Sequence, residues 1–202
     1  MWPSVYDINQ KRIYDLPSKL LEDNIILINE QITDQMSASV VAQLLTLESK
    51  DPNKPITIYI NSPGGSVSAG FAIYDVMNNI SNPIITIANG LAASMAAILL
   101  SSGTRGQRYA MPNSTIMIHQ PLGAAQGQAS EISIMAQQIL KTKEKLNILL
   151  SKNTGTPLTD IIKACDRDNY LNAEEALKLG IIDKIIKTKP KAFNQDLKIP
   201  EI

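Results

Sequence analysis

Apolar positions along the chain alternate between two spacings. Residues 24–29 (NIILIN), 55–60 (PITIYI) and 83–88 (PIITIA) are short apolar runs rich in β-branched side chains, which predicts buried strands. Between the first two, Met36, Val40, Val41, Leu44, Leu45 and Leu47 recur at helical spacing, which predicts a helix over 33–49 with Thr33 as its N-cap. Val67, Phe71, Ile73, Tyr74 and Met77 give a second helix over 66–79. The dense turn signal of residues 61–65 (NSPGG) stands before it, and Asn89-Gly90 closes the third strand. A helix of small residues follows over 93–100.

The second half continues the alternation. Residues 106–110 and 115–118 read as short strands around a turn at Pro112-Asn113, and 123–127 (GAAQG) reads as a flexible loop. The longest helical pattern covers 130–152, with Ile132, Met135, Ile139, Leu146, Leu149 and Leu150 in its stripe. At 1.5 Å per residue it would reach roughly 35 Å, more than a small domain needs internally. Gly155 and Pro157 end it and open another short helix. Residues 172–179 (NAEEALKL) form a capped helix stopped by Gly180, a last strand covers 181–186, and the tail from 187 to 202 is read as flexible. Strand–helix alternation predicts an α/β fold with mostly parallel pairing.

Composition narrows the function. The chain has 202 residues, which makes one domain spanning 1–202 the expectation. Lys+Arg and Asp+Glu are 19 each, so the positive excess that phosphate binding demands is missing and nucleic acid is not an expected partner. A single cysteine, Cys165, excludes an internal disulfide and a CxxC zinc site. Residues 1–12 lack the basic flank and apolar core of a signal peptide, and the apolar stretch 88–100 is too short to span a bilayer. A soluble, cytoplasmic protein is the expectation, with no membrane partner.

Four features could carry chemistry. Ser94 lies in GLAASMAA (90–97), after a strand and at the start of a helix, where unpaired N–H groups can face a developing oxyanion. Serines at helix starts more often serve as N-caps, and the Gly-x-Ser-x-Gly elbow is absent. His119 is the sole histidine and closes an apolar strand. Any imidazole base must be this one, against the even alternative of a buried structural histidine. Asp166-Arg167-Asp168 could supply the carboxylate that orients an imidazole, although such triplets are usually solvated charge runs. Gly64 and Gly65 permit positive φ or close backbone approach, and their N–H groups could hold a carbonyl oxygen.

Taken in order, NSPGGSVSAG (61–70), GLAASMAA (90–97), MPNSTIMIHQPLG (111–123), QGQASEI (126–132) and DRDNYLNAEEALKLGIID (166–183) resemble the proteolytic subunit of the ATP-dependent caseinolytic (Clp) protease. The resemblance spans residues 20–186. It implies a serine endopeptidase with a crotonase-like spiral of ββα units and a protruding long handle helix. It places the nucleophile at Ser94, the general base at His119 and the orienting acid at Asp168. The oxyanion hole falls on the backbone N–H groups of Gly65 and Met95. Asp166 and Arg167 match a charged pair of the ring contact, and Tyr59 and Tyr109 are candidates for partner docking. The handle maps to 123–152, including a glycine-rich strand before the helix, and an axial segment maps to 1–19. The family assembles two stacked heptameric rings, a tetradecamer, around a chamber. It works with an AAA+ unfoldase that binds the ATP and delivers unfolded polypeptide. The resemblance implies no metal and no organic cofactor in this chain.

The chain departs from that pattern at several places. Residues 3–14 look shorter than the usual axial loop and lack its Arg-Gly-Glu-Arg core. Pro17 and Lys19 stand where the family has Tyr and Arg, Thr57 where it often has Tyr, and Ala124 where it has the second handle glycine. Two rival functions share the fold or the assembly: an acyl-CoA enzyme, in which Ser94 and His119 would have no joint role, and a non-catalytic ring subunit. A local alternative makes Cys165 the nucleophile, although nothing nearby in sequence lowers its pKa.

Overall fold

The structure, a computed structural model, describes residues 3–7 and 11–187. The expected tail at 187–202 therefore lies outside the described residues except for Lys187, and the axial segment is described only in part. The chain opens with an antiparallel hairpin, β1 (Ser4–Asp7) and β2 (Arg12–Asp15), followed by α1 (Leu16–Glu22). None of the three was predicted from apolar spacing, and α1 buries no residue that would have produced a stripe. Its signal is instead a cap: Asp15 accepts a 2.7 Å bond from Ser18 N, with proline in the first turn.

Among the described residues the main sheet has seven strands. β3 (Ile25–Ile28), β4 (Ile56–Ser62), β5 (Ile84–Ala93), β6 (Arg108–Ala110) and β9 (Lys184–Ile185) are hydrogen-bonded in that order, all parallel. Helices α2 (Asp34–Lys50) and α3 (Val67–Asn79) cross between the first three strands. Parallel neighbours require such crossovers, which is why strand and helix patterns alternate in the sequence. Thr33 caps α2, accepting from Met36 N at 3.2 Å. Ile26, Ile28, Ile56, Ile58, Ile60 and Leu44 are fully buried in the core between sheet and helices.

Strand β5 runs further than the apolar run predicted. Asn89-Gly90 is not a turn that ends the strand; Gly90 takes a φ of +117° inside it. Asn61 Oδ1 accepts the Leu91 N–H at 3.0 Å, so the strand is carried past the kink. Beyond it, β5 changes partners: Leu91, Ala92 and Ala93 pair in parallel with Thr115, Ile116 and Met117 of β7 (Thr115–Ile118). On the far side of β7 lies β8 (Asn169–Asn172), the one antiparallel strand of the sheet among the described residues, which the sequence reading did not separate from its charged neighbours. The last strand is shorter than predicted, because Ile181 and Ile182 are buried outside the ladder.

The remaining helices are α4 (Met95–Ser101), α5 (Ala129–Thr154), α6 (Leu158–Ala164) and α7 (Ala173–Lys178). Helix α4 is buried along its whole length. Its Ala96 and Ala97 explain the small-residue pattern, since bulkier side chains there would not fit against the sheet. Asn172 and Glu175 form a capping box at α7, with bonds of 2.9 and 2.8 Å. Helix α5 has 26 residues, about 39 Å at the standard rise. Only its C-terminal part is buried, through Leu146, Asn147, Leu150 and Thr154. Ile132, Ile134, Met135 and Leu140 remain exposed on the projecting part. Residues 121–126 before it carry no secondary structure, so the strand expected in the handle is not formed within this chain.

Candidate active site

Strand β7 brings three distant stretches together. Its parallel neighbour β5 ends at Ala93, opposite Met117, so Ser94 and His119 emerge at the same end of the sheet. Its antiparallel neighbour β8 begins where β7 ends, with Asn169 opposite Ile118, so Asp168 arrives there too. His119 Nε2 lies 2.8 Å from Ser94 Oγ, and Nδ1 lies 2.9 Å from Asp168 Oδ1. The imidazole is 12% exposed and the carboxylate 61% exposed.

Ser94 sits in a sharp strand-to-helix elbow with φ +56° and ψ −122°. Positive φ in a non-glycine residue stores on the order of 1–3 kcal/mol and persists only where the surroundings enforce it. Two features do so. Ser94 N donates to Met117 O at 2.8 Å, and Gly64 packs against the elbow from the other side. A Cβ on Gly64 would stand 2.6 Å from Ala93 O and 2.8 Å from Ser94 Cβ, and its φ is +87°. The Ser94 hydroxyl makes no capping bond to α4; it is turned to His119 instead. The elbow therefore forms without the Gly-x-Ser-x-Gly motif, Ala92 and Ala96 supplying the small neighbours.

Beside the hydroxyl, the loop after β4 and the first turn of α4 come close. The Gly64 Cβ position is 3.0 Å from Met95 N. Gly65 is fixed by a bridge to Ile32, with Ile32 N on Gly64 O and Ser66 N on Ile32 O, both at 2.8 Å. Among the loop, turn and cap hydrogen bonds of the described residues, none is donated by Gly65 N or Met95 N. A hydroxyl, an imidazole and a carboxylate in line can generate an alkoxide-like nucleophile.

A narrow pocket of about 30 Å³ opens from Ser94 and His119. Val67, Ile98, Ile118, Pro121, Leu146 and Leu150 give it apolar walls. Asn147 and Cys165 complete the lining. Cys165 is buried, and burial pushes its thiol up to about 11, with Lys143 pulling the other way more weakly. A neutral thiol is a poor nucleophile, so the cysteine alternative loses its chemistry.

The remaining predicted positions are placed as follows. Asp166 and Arg167 are exposed and lie 3.9 Å apart at their closest charged atoms. Tyr59 and Tyr109 are half-buried and share one cross-strand row, each paired with Ile87 between them. Residues that the sequence reading missed tie the site to α5. Gln120 donates to the Asp166 carbonyl at 2.6 Å and accepts from Lys143 Nζ at 2.9 Å, linking the end of β7 to the approach to Asp168. A polar residue at a Gln-Pro break carries no local signal of that bridge.

No helix among the described residues is long and apolar enough to cross a membrane. A model of the Clp protease family matches residues 8–189, which covers every residue of the site. The mostly parallel sheet and the seven helices among the described residues agree with that match. The chain belongs to the Clp protease family as a proteolytic subunit, and through it to the serine peptidases.

Proposed function

We propose that Ser94, His119 and Asp168 are the catalytic triad of a serine endopeptidase. The observation that carries this reading is the continuous hydrogen-bonded line from Ser94 Oγ through the imidazole to Asp168. His119 Nε2 takes the Ser94 proton as Oγ attacks the peptide carbonyl carbon. The oxygen that gains charge is held by the N–H groups of Gly65 and Met95. His119 then gives its proton to the leaving amine, and an acyl-enzyme remains on Ser94. Water, deprotonated by the same imidazole, releases the acid product. Asp168 keeps Nδ1 protonated and stabilises the imidazolium.

The working particle is two stacked heptameric rings, with an AAA+ unfoldase supplying unfolded polypeptide at the cost of ATP in the cytoplasm. The half of α5 that projects with Ile132, Ile134, Met135 and Leu140 exposed supports burial against further copies of the chain. Exposed Asp166 and Arg167 stand ready for a contact between rings. The row of Tyr59, Ile87 and Tyr109 supports docking of the unfoldase on the outer face of the sheet. The purified chain is tested with fluorogenic peptides, with assembly mass measured in parallel. Turnover that disappears in Ser94→Ala within an intact assembly supports the reading; turnover that survives removes it.

A further inference from the structure

Asn89-Gly90 is the single Asn-Gly pair of the chain, and the site described above makes no use of it. It lies in a stretch of β5 without cross-strand pairing. Ile84 to Ala88 are matched to β4 and Leu91 to Ala93 to β7, but Asn89 and Gly90 have no partner in either register. The ladder slips at this point: Ile60 faces Ala88 and Ser62 faces Ala92, so four steps of β5 (88 to 92) span two of β4 (60 to 62). The surplus bulges outward, and both residues are exposed.

The chemistry at the bulge suits ring closure. The Asn89 carboxamide has no hydrogen-bond partner among the described residues, whereas those of Asn61, Asn82, Asn153 and Asn169 are bonded. The Gly90 N–H reaches Ser114 Oγ only at 3.4 Å, beyond the usual range for such a bond. Gly90 has no side chain to shield its nitrogen from Asn89 Cγ, and no ladder bond fixes that nitrogen in place. Attack by Gly90 N forms the N–Cγ bond and breaks the Cγ–Nδ2 bond. The proton of the attacking nitrogen leaves with the amide as ammonia, and a succinimide remains. Water then opens the ring. Opening at Cγ gives aspartate; opening at the main-chain carbonyl gives isoaspartate, whose main chain is longer by one methylene.

We infer that Asn89-Gly90 is a modification site at which the native protein ages to isoaspartate, and that the lengthened main chain displaces Ser94. Leu91, Ala92 and Ala93 follow the bulge directly in register with β7, and Ser94 N bonds to Met117 O at 2.8 Å. Asn61 Oδ1 accepts the Leu91 N–H at 3.0 Å, and a Cβ on Gly90 would stand 2.6 Å from that same oxygen. An added methylene has no room there unless Leu91 moves, and Leu91 begins the strand segment that carries the elbow. The effect on turnover rests on Ser94 being the nucleophile; the conversion itself does not.

The test follows wild type, Asn89→Gln and Ser94→Ala during warm incubation at mildly alkaline pH. Samples are digested and mapped by mass spectrometry. Isoaspartate is read by methyl transfer from labelled S-adenosylmethionine with an isoaspartyl methyltransferase. Asn89→Gln keeps an exposed amide but could close only a six-membered ring, which forms far more slowly. The wild-type peptide spanning residues 89 and 90 should convert from amide to acid, mostly as isoaspartate, with turnover lost in proportion. Asn89→Gln should keep both its amide and its turnover. A folded wild type that retains the Asn89 amide while the same chain in urea converts would overturn the inference. So would full conversion to isoaspartate with turnover unchanged. Turnover that survives in Ser94→Ala sinks the triad instead, while conversion there proceeds as in wild type, so the two failures are told apart.

Discussion

His119 and Asp168 meet where two antiparallel strands end. Ile118 pairs with Asn169, and one step beyond that register the imidazole Nδ1 lies 2.9 Å from the Asp168 carboxylate. The imidazole is largely covered while the carboxylate is mostly exposed. Orientation of the imidazole therefore depends on a charge that solvent can screen. The strand pairing, rather than burial, holds that charge in place.

Asp168→Asn should lower kcat/KM by roughly a thousandfold or more, because the imidazole loses its tautomer and its counter-charge. The side chain is 61% exposed, so folding should be unaffected. Steady-state kinetics alongside a melting curve check both halves: a variant that loses activity only by unfolding would contradict the assignment.

Gly64→Ala tests the elbow. The new Cβ would collide with Ala93 O and Ser94 Cβ at a φ of +87°. The expected cost is about 1–3 kcal/mol of stability, with loss of turnover even in the folded fraction, since Ser94 would be displaced. Denaturation and labelling of Ser94 by a phosphonate, measured on the same sample, separate the two effects. Unchanged labelling would mean that the elbow does not depend on this contact.

Local spacing made much of the fold legible and left out what depends on distant pairing. The helices α2, α3 and α5 and strand β4 bury residues at regular intervals, so their patterns survive in the sequence. Strand β8 (NYLN) alternates half-buried and exposed residues and exists because β7 pairs with it; nothing within its four residues announces that. Asn89-Gly90 reads as a turn because the Asn61 side chain that carries β5 through it comes from another strand. At the site, the lone histidine singled out His119, whereas Asp168 stood beside Asp166 with no local reason to prefer either. The antiparallel register supplies the difference: Asp168 reaches the imidazole, and Asp166 contributes a carbonyl to Gln120.

Away from the site, Arg108 is 3% exposed and bonds Asp183 through Nε at 2.8 Å and through Nη2 at 2.6 Å. Burial pushes the Asp183 carboxyl up, but the Arg108 bonds and charge outweigh it and hold the carboxyl below its ordinary range. A depressed carboxyl contributes stability that is present above its unfolded value and lost as pH falls through the folded one. Asp183→Asn should cost about 3–5 kcal/mol at neutral pH, because Arg108 is left buried without its counter-charge. Urea denaturation from neutral to acid pH should show the wild type losing this advantage while the variant does not. Parallel curves would contradict the pairing.

Cys165 gives a second pH-dependent readout. With its thiol pushed up to about 11, roughly one part in a thousand is thiolate at pH 8. Iodoacetamide should leave Cys165 unmodified in the native protein under conditions that alkylate it in urea, and native modification should accelerate as pH rises toward 11. Fast native alkylation at neutral pH, followed by intact mass, would contradict a buried neutral thiol.

The most direct check on the catalytic account is where a fluorophosphonate attaches. The assembled protein is treated with the reagent, digested and mapped by mass spectrometry. The account predicts one adduct per chain, on Ser94, forming in step with loss of peptidase activity and suppressed in His119→Ala. An enzyme that loses activity with the adduct on another residue, or that labels Ser94 equally fast without His119, would contradict it.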